Sequence, residues 1–297
     1  MDWSLLLAFG VNGILVGALY GVVAMCFVLI YKATQILNFA QGEFLLIGAW
    51  ICWATIVQFG LPFWLGFLVT LVFMFLFGVL LQMVVLRPMI GEPIISVIML
   101  TIGLSIVFRS AMNWIFGSHV RSFPAVFETD HLEILGLNVQ MPYVLSFVLA
   151  ILVVVGFFLF FKYSRMGLAM RATAFDQQVA QSLGVSVERV FALSWAISAM
   201  ASALAGVVIG MVNGVSSSLA IYGIKVFPAV IVGGLDSIVG GMVGGLIVGV
   251  IENLAAFADT QYLHWGNLLE IVPFYVLIII LMVKPYGLFG TEDIERI

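Results

Sequence analysis

The sequence predicts an all-α polytopic membrane protein, and its composition and its apolar runs both point to that fold class. The chain has 297 residues, of which 64% are hydrophobic and 9% are charged, and its mean hydropathy is +1.24. Soluble domains are closer to about half apolar and about a quarter charged. Apolar runs of span length recur, whereas the alternating ten-residue segments of a membrane β-barrel are absent. A helical bundle is therefore the predicted fold, because helices satisfy their own backbone hydrogen bonds in lipid.

About nine apolar segments, within a range of eight to ten, are predicted to form membrane-embedded helices. The second and seventh are short and are flanked by Asn, Gln, Ser and Gly, so each could be a broken or re-entrant helix. We treat residues 1–297 as a single transmembrane domain. The nine segments are 5–30, 44–58, 62–86, 94–113, 142–161, 190–212, 219–234, 238–257 and 269–284.

The placement of Lys and Arg sets the predicted orientation. Four of the eleven basic residues lie in the polar interruption 162–189. When this interruption is cytosolic, Lys32, Arg87 and Lys284 are cytosolic too. The N-terminus is then outside and the C-terminus inside. The acidic loop 114–142 becomes external, as the positive-inside rule would leave it; contact with an external partner is the alternative.

Glycine is unusually frequent in the second half of the chain. Gly240 and Gly244, like Gly245 and Gly249, are four residues apart, which predicts close helix packing. The first half has its own glycine-rich helix, followed by a polar break, and the second half has a comparable break at 213–218. This similarity favours an inverted repeat with short or broken helices.

A dense polar cluster opens the second apolar segment and supplies the first candidates for the substrate pathway. Two interpretations stay open for it. The segment could be an ordinary capped helix start at the cytosolic interface, with Glu43 favoured by the positive helix end. It could instead be a broken helix beside a transport path. The candidate residues are Asn38, Gln41, Gly42 and Glu43.

Two further polar positions are candidates for the pathway. Glu252 lies inside the eighth apolar segment, where a carboxylate needs a partner or a water-filled cavity. Lys225 is at a similar predicted depth, and we hypothesise that the two residues pair. Asn213 marks a polar break between two segments; ordinary loop chemistry explains it, and a substrate gate is the alternative.

The cytosolic interruption 162–189 contains an amphipathic pattern. Apolar residues at helical spacing predict one helix of about three turns over 172–183. Gly184 is placed to end it, and Asp176 faces away from the apolar stripe. Its polar face is mostly amide, which favours docking into a protein groove over resting on lipid. The stripe consists of Ala172, Phe175, Val179 and Leu183.

Several function classes lack support in the sequence. No grouping of His, Cys, Asp and Glu has metal-ligand spacing, and no GxxxxGK[ST] motif is present. We therefore predict a transport subunit without its own ATP-binding motif, not an enzyme. A secondary transporter would need more intramembrane charges than Glu43, Glu252 and Lys225 provide.

Four stretches, spread in order over most of the chain, carry a family resemblance. Together they resemble the LivH-type permease of the branched-chain amino acid ABC importer family, and the loop 162–189 resembles the coupling loop of such permeases. The family commonly has His where this chain has Gln41. The stretches are 37–44 (LNFAQGEF), 87–88 with 101–104 (TIGL), 171–184 and 233–252.

The resemblance implies a set of partners and a location. These are a second, LivM-type permease, two cytosolic ATPases that hold ATP and Mg²⁺, a periplasmic substrate-binding protein and the lipid bilayer of a bacterial inner membrane. No metal, cofactor or nucleic acid is expected on this chain. The residues 172–184 would sit in an ATPase groove. Related permeases serve urea, short amides or aromatic acids, which remain alternatives, as does a passive amide channel.

Overall fold

The structure is a computed structural model that describes residues 3–90, 92–124, 131–134, 137–266 and 268–291. It is an α-helical bundle. The α-helices are α1 (Trp3–Thr34), α2 (Gln41–Val57), α3 (Phe63–Leu81), α4 (Ile94–Phe116), α5 (Met141–Tyr163), α6 (Arg165–Phe175), α7 (Gln177–Ser182), α8 (Val187–Asn213), α9 (Ile221–Gly233), α10 (Ile238–Ala258) and α11 (Leu268–Val283).

Each of the nine predicted apolar segments coincides with a described helix. Among the residues that the structure describes, five helices are long and apolar enough to cross a membrane, and a sixth candidate is a pair bent by 79° where α5 meets α6. Three shorter apolar helices include α2 and α9, so the second and seventh segments are short, as the sequence predicts. Continuous π and 3-10 turns extend α3 through Gln82–Leu86 and Arg87–Met89. The inverted repeat stays a prediction.

The chain divides into two compact units. One comprises residues 1–28, 127–150 and 224–297, and the other comprises 29–126 and 151–223. In the second unit, α8 packs along both α2 and α3. The apolar core there is centred on Phe44, Met74 and Trp195, all of them buried.

The first unit packs through glycine, as the i, i+4 spacing predicts. A Cβ atom added at Gly245 or Gly249 of α10 would overlap the backbone of Gly21 or Gly17 of α1. On another face of α10, a Cβ at Gly244 would overlap the Ala229 carbonyl of α9. Helix backbones approach this closely only where no side chain intervenes.

The predicted single helix over 172–183 is wrong in two respects, because the first helix begins at Arg165 and the structure divides the predicted range in two. α6 ends at Phe175, and Asp176 adopts an extended backbone and becomes the N-cap of α7. Its Oδ1 accepts the N–H groups of Gln178 (2.8 Å) and Val179 (3.0 Å). An Asp side chain competes for free N–H groups in this way and starts a new helix. Gly184, with φ +85°, ends α7 as predicted.

The predicted external loop contains a structure that the sequence analysis does not anticipate. His131–Ile134 (β1) pairs antiparallel with Leu137–Gln140 (β2). Nearer the start of the loop, Arg121 forms an isolated antiparallel bridge with Val215. Residues 125–130 and 135–136 of this loop lie outside the described residues.

Candidate functional site

The start of α2 contacts residues in the interior of α8 and of α4. The Gln41 Nε2 donates to Ser198 Oγ (3.1 Å) and to Ser202 Oγ. Both serines are near the middle of α8, roughly 16–22 Å from its first residue at about 1.5 Å per residue. The Phe39 N–H donates to Thr101 Oγ1, which lies within α4 (3.4 Å). The break between α1 and α2 is therefore inside the bundle, which favours a broken helix over a surface cap.

Buried amides hold this break in shape. Asn38 and Gln41 are each 1% exposed. Asn38 Nδ2 donates to Gln41 Oε1 (2.9 Å), and Asn38 Oδ1 accepts the Ala40 N–H (3.0 Å). The Gln41 amide thus has its NH₂ group bound to α8 and its oxygen bound to Asn38. Buried polar groups need such partners, and here the partners fix where α2 begins.

A second helix break, between α8 and α9, is in contact with the break between α1 and α2. After α8 the chain forms a short 3-10 helix, Ser217–Ala220, before α9 begins. A Cβ atom added at Gly42 would overlap the Ala220 carbonyl, and one added at Gly223 would overlap the Gly42 backbone. Only glycine permits this approach of two backbones. The starts of α2 and α9 are therefore in backbone contact, an arrangement typical of discontinuous helices at transporter pathways.

Glu43 forms an ion pair that the sequence analysis does not predict. Arg109 Nη2 lies 2.6 Å from Glu43 Oε1, and the side chains are 40% and 1% exposed. A lone buried carboxylate would be expensive, so Arg109 explains how Glu43 is tolerated. The contact with Arg109, within α4, favours the broken-helix interpretation of this cluster over a capped helix start at the cytosolic interface. An arginine inside an apolar segment was the available signal.

In the first unit, the predicted pairing of Lys225 with Glu252 is confirmed. Lys225 Nζ lies 3.4 Å from Glu252 Oε1, with side-chain exposures of 14% and 2%. Asn213, in the second unit, is exposed, and its Nδ2 donates to the Tyr222 hydroxyl (2.9 Å). That bond closes the turn between α8 and α9 and accounts for the position of Asn213.

The polar interruption 162–189 has three exposed apolar side chains, here named the coupling surface and defined as Phe175, Val179 and Leu183. Their exposed fractions are 95%, 55% and 78%. Ala172, the fourth residue of the predicted stripe, is half-buried. Ala180, which lies between Val179 and Leu183 in the sequence, is buried. Large exposed apolar side chains in a segment predicted to lie outside the membrane are typical of a protein contact.

Comparison with known proteins identifies the family. The family model for the branched-chain amino acid transport system permease component matches residues 10–281. The chain belongs to this permease family. The LivH permease protein of the high-affinity branched-chain amino acid transport system of Escherichia coli K12 is 31% identical over 301 residues, covering 96% of both chains. The BraD permease protein of Pseudomonas aeruginosa is also 31% identical, over 97% of this chain and 96% of BraD.

More distant comparisons extend to an archaeon and to a solved structure. A probable LivH permease protein of Methanocaldococcus jannaschii is 28% identical, over 91% of this chain and 88% of its own length. The solved structure of PsaBC from Streptococcus pneumoniae in complex with a Fab matches with a TM-score of 0.51 and 15% identity. It covers 97% of this permease and 95% of the matched chain. The likeness to PsaBC shows a shared fold.

Proposed function

We propose that this chain is a membrane-spanning subunit of a binding-protein-dependent ABC importer for branched-chain amino acids. The observation that carries the proposal is the family match over residues 10–281, supported by relatives of almost equal length that are named for branched-chain amino acid transport. The chain is a multi-pass membrane permease of that family. We place it in a bacterial inner membrane, with its N-terminus outside and its C-terminus inside.

The coupling surface supports dependence on a separate ATPase. Phe175, Val179 and Leu183 expose apolar area on short helices of the predicted cytosolic loop. Helices of this kind dock by placing apolar side chains in a groove of the partner. We infer that two ATPase subunits, which would carry ATP and Mg²⁺, receive this loop and its equivalent on a second, LivM-type permease. Ala172, Asp176 and Gly184 would shape the loop: Asp176 starts α7 and Gly184 ends it.

The two helix breaks support a pathway beside the start of α2. Gly42 and Gly223 allow the backbones at the starts of α2 and α9 to touch. Asn38 and Gln41 stabilise the start of α2 by hydrogen bonds. Backbone that leaves the helical pattern at membrane depth is tolerated where it lines a cavity or is buried in protein. We assign the pathway to this region and retain the remaining candidates as proposed pathway residues: Glu43, Asn213, Lys225 and Glu252.

The experiment is ATP hydrolysis by the assembled complex. The permease would be co-purified with a LivM-type permease and ATPase subunits from the same organism, and placed in nanodiscs with a periplasmic binding protein from that organism. We expect hydrolysis to rise several-fold when the binding protein carries leucine, isoleucine or valine. Stimulation by urea, a short amide or an aromatic acid alone would reassign the substrate. Transport by the chain without the ATPases would refute the importer and favour a passive channel.

A further inference from the structure

Arg109 is a charged residue on a helix that is otherwise built to face an apolar environment. At about 1.5 Å per residue it lies roughly 22 Å from the first residue of α4 and roughly 10 Å from the last. Arg109 therefore lies well inside α4, and within the hydrocarbon core, about 30 Å thick, that a helix of this length crosses. Its neighbours Ile106 and Val107 are 62% and 60% exposed. A guanidinium at this depth requires a polar environment.

Glu43 occupies only part of the hydrogen-bonding capacity of the Arg109 guanidinium. The Arg109 Nη2 donates to Glu43 Oε1, but Arg109 Nε has no acceptor among the described residues. A guanidinium has five N–H donors, and 40% of the Arg109 side chain stays exposed while Glu43 is buried. The pair is electrically neutral as a whole, yet it presents its cationic member outwards and hides its anionic member.

Polar groups accompany Arg109 along α4. Ser105, Arg109 and Asn113 follow one another at intervals of four residues and share one face of the helix. Asn113 Oδ1 is buried and finds no donor among the described residues. α4 also packs against the 3-10 helix Ser217–Ala220, so Arg109 belongs to a helix that touches both α2 and the second break. Through its ion pair with Glu43, the residue after Gly42, the guanidinium lies at the start of α2, where the pathway is proposed above.

We propose that Arg109 is a transit site for the carboxylate of the transported amino acid. This inference rests on the proposed function. Arg recognises carboxylates by charge-assisted hydrogen bonds that are frequently bidentate. Glu43 acts as the positioning residue: it fixes the guanidinium and partly neutralises it, so the carboxylate is held weakly enough to leave again. Conduction through a membrane needs sites of this intermediate strength.

The test uses the complete transporter in proteoliposomes and the double variant E43Q/R109Q. Removing both charges together leaves no unpaired ion in the bundle, and the Gln side chains retain hydrogen-bonding capacity. We expect the variant to assemble with its partner subunits, and its leucine uptake is measured relative to the ATP that it hydrolyses. Leucine uptake per ATP hydrolysed should fall about tenfold, the effect of losing one charge-assisted hydrogen bond. S110A, which alters an exposed hydroxyl next to Arg109, is the matched control and should transport normally.

The outcomes distinguish two carboxylates that Arg109 could bind: that of the transported amino acid and that of an acidic side chain on the second permease. Normal uptake per ATP in E43Q/R109Q would overturn the proposal. If E43Q/R109Q melts like the wild-type chain by itself but fails to assemble with the second permease, Arg109 serves a contact with that subunit, and the proposal is overturned. R109K retains the cation and should recover part of the uptake. If instead the wild-type complex showed no ATP-dependent uptake, the proposed function itself would fail, and that result is visible without any variant.

Discussion

Phe175→Ala tests whether the coupling surface binds the ATPase. Phe175 is 95% exposed, so its ring contributes almost nothing to the free energy of folding of this chain. Surface substitutions of this kind stay within about 0.5 kcal/mol. Full burial of a Phe side chain in a partner is worth about 1.5–3 kcal/mol. Since about 1.4 kcal/mol is a factor of ten, the affinity for the ATPase should fall about 10- to 100-fold.

The assay is titration of the purified ATPase against the permease pair in nanodiscs, followed by leucine-stimulated ATP hydrolysis. Phe59→Ala is the matched control, because Phe59 is 73% exposed and lies in the loop between α2 and α3. It removes the same atoms far along the chain from the coupling surface. Phe175→Glu should weaken binding further, since a charge would enter an apolar groove. Wild-type affinity and normal stimulation in Phe175→Ala would refute the assignment.

Three further substitutions test the interior. Gln41→Leu should lower thermal stability and uptake, because each buried hydroxyl or amide left without its partner costs about 1–3 kcal/mol; unchanged melting would contradict the network. Gly223→Ala should destabilise the protein by about 1–3 kcal/mol through overpacking, whereas Gly103→Ala, which has open space, should be neutral or slightly stabilising; equal effects would argue against the backbone contact. Lys225→Met should cost about 3–5 kcal/mol by leaving Glu252 unpaired, and the charge-reversed pair should recover part of this in the same melting assay; no recovery would count against the ion pair.

The helix positions were predictable because they depend on local composition. Apolar runs and their polar limits locate the helices of the nine apolar segments within a few residues. Glycine spacing predicts close helix packing, which α10 makes with α1. The end of α7 at Gly184 was predictable for the same reason, because it depends on a single local residue. The break at Asp176 was missed because a periodic apolar pattern continues through it, while the competing interaction is a side-chain cap.

The candidate site was predictable in its members but not in its contacts. The polar residues 38–43 stand out in an apolar chain, and so does Glu252. However, the Gln41 amide binds Ser198 and Ser202, which are 157 and 161 residues away. A single sequence carries no signal for such a pairing. Arg109 stands out as an arginine inside an apolar segment, but the sequence does not identify Glu43 as its partner. Tertiary packing, which brings the middle of α4 and α8 to the start of α2, determines both.

Uptake of radiolabelled leucine by proteoliposomes tests the central claim most directly. The vesicles would contain this chain with its partner permease and ATPases, with the binding protein on one side and ATP on the other. We predict uptake only when the binding protein and ATP are both present, and its loss when ATP is replaced by a non-hydrolysable analogue. Leucine uptake that persists without ATP or without the binding protein would contradict the account.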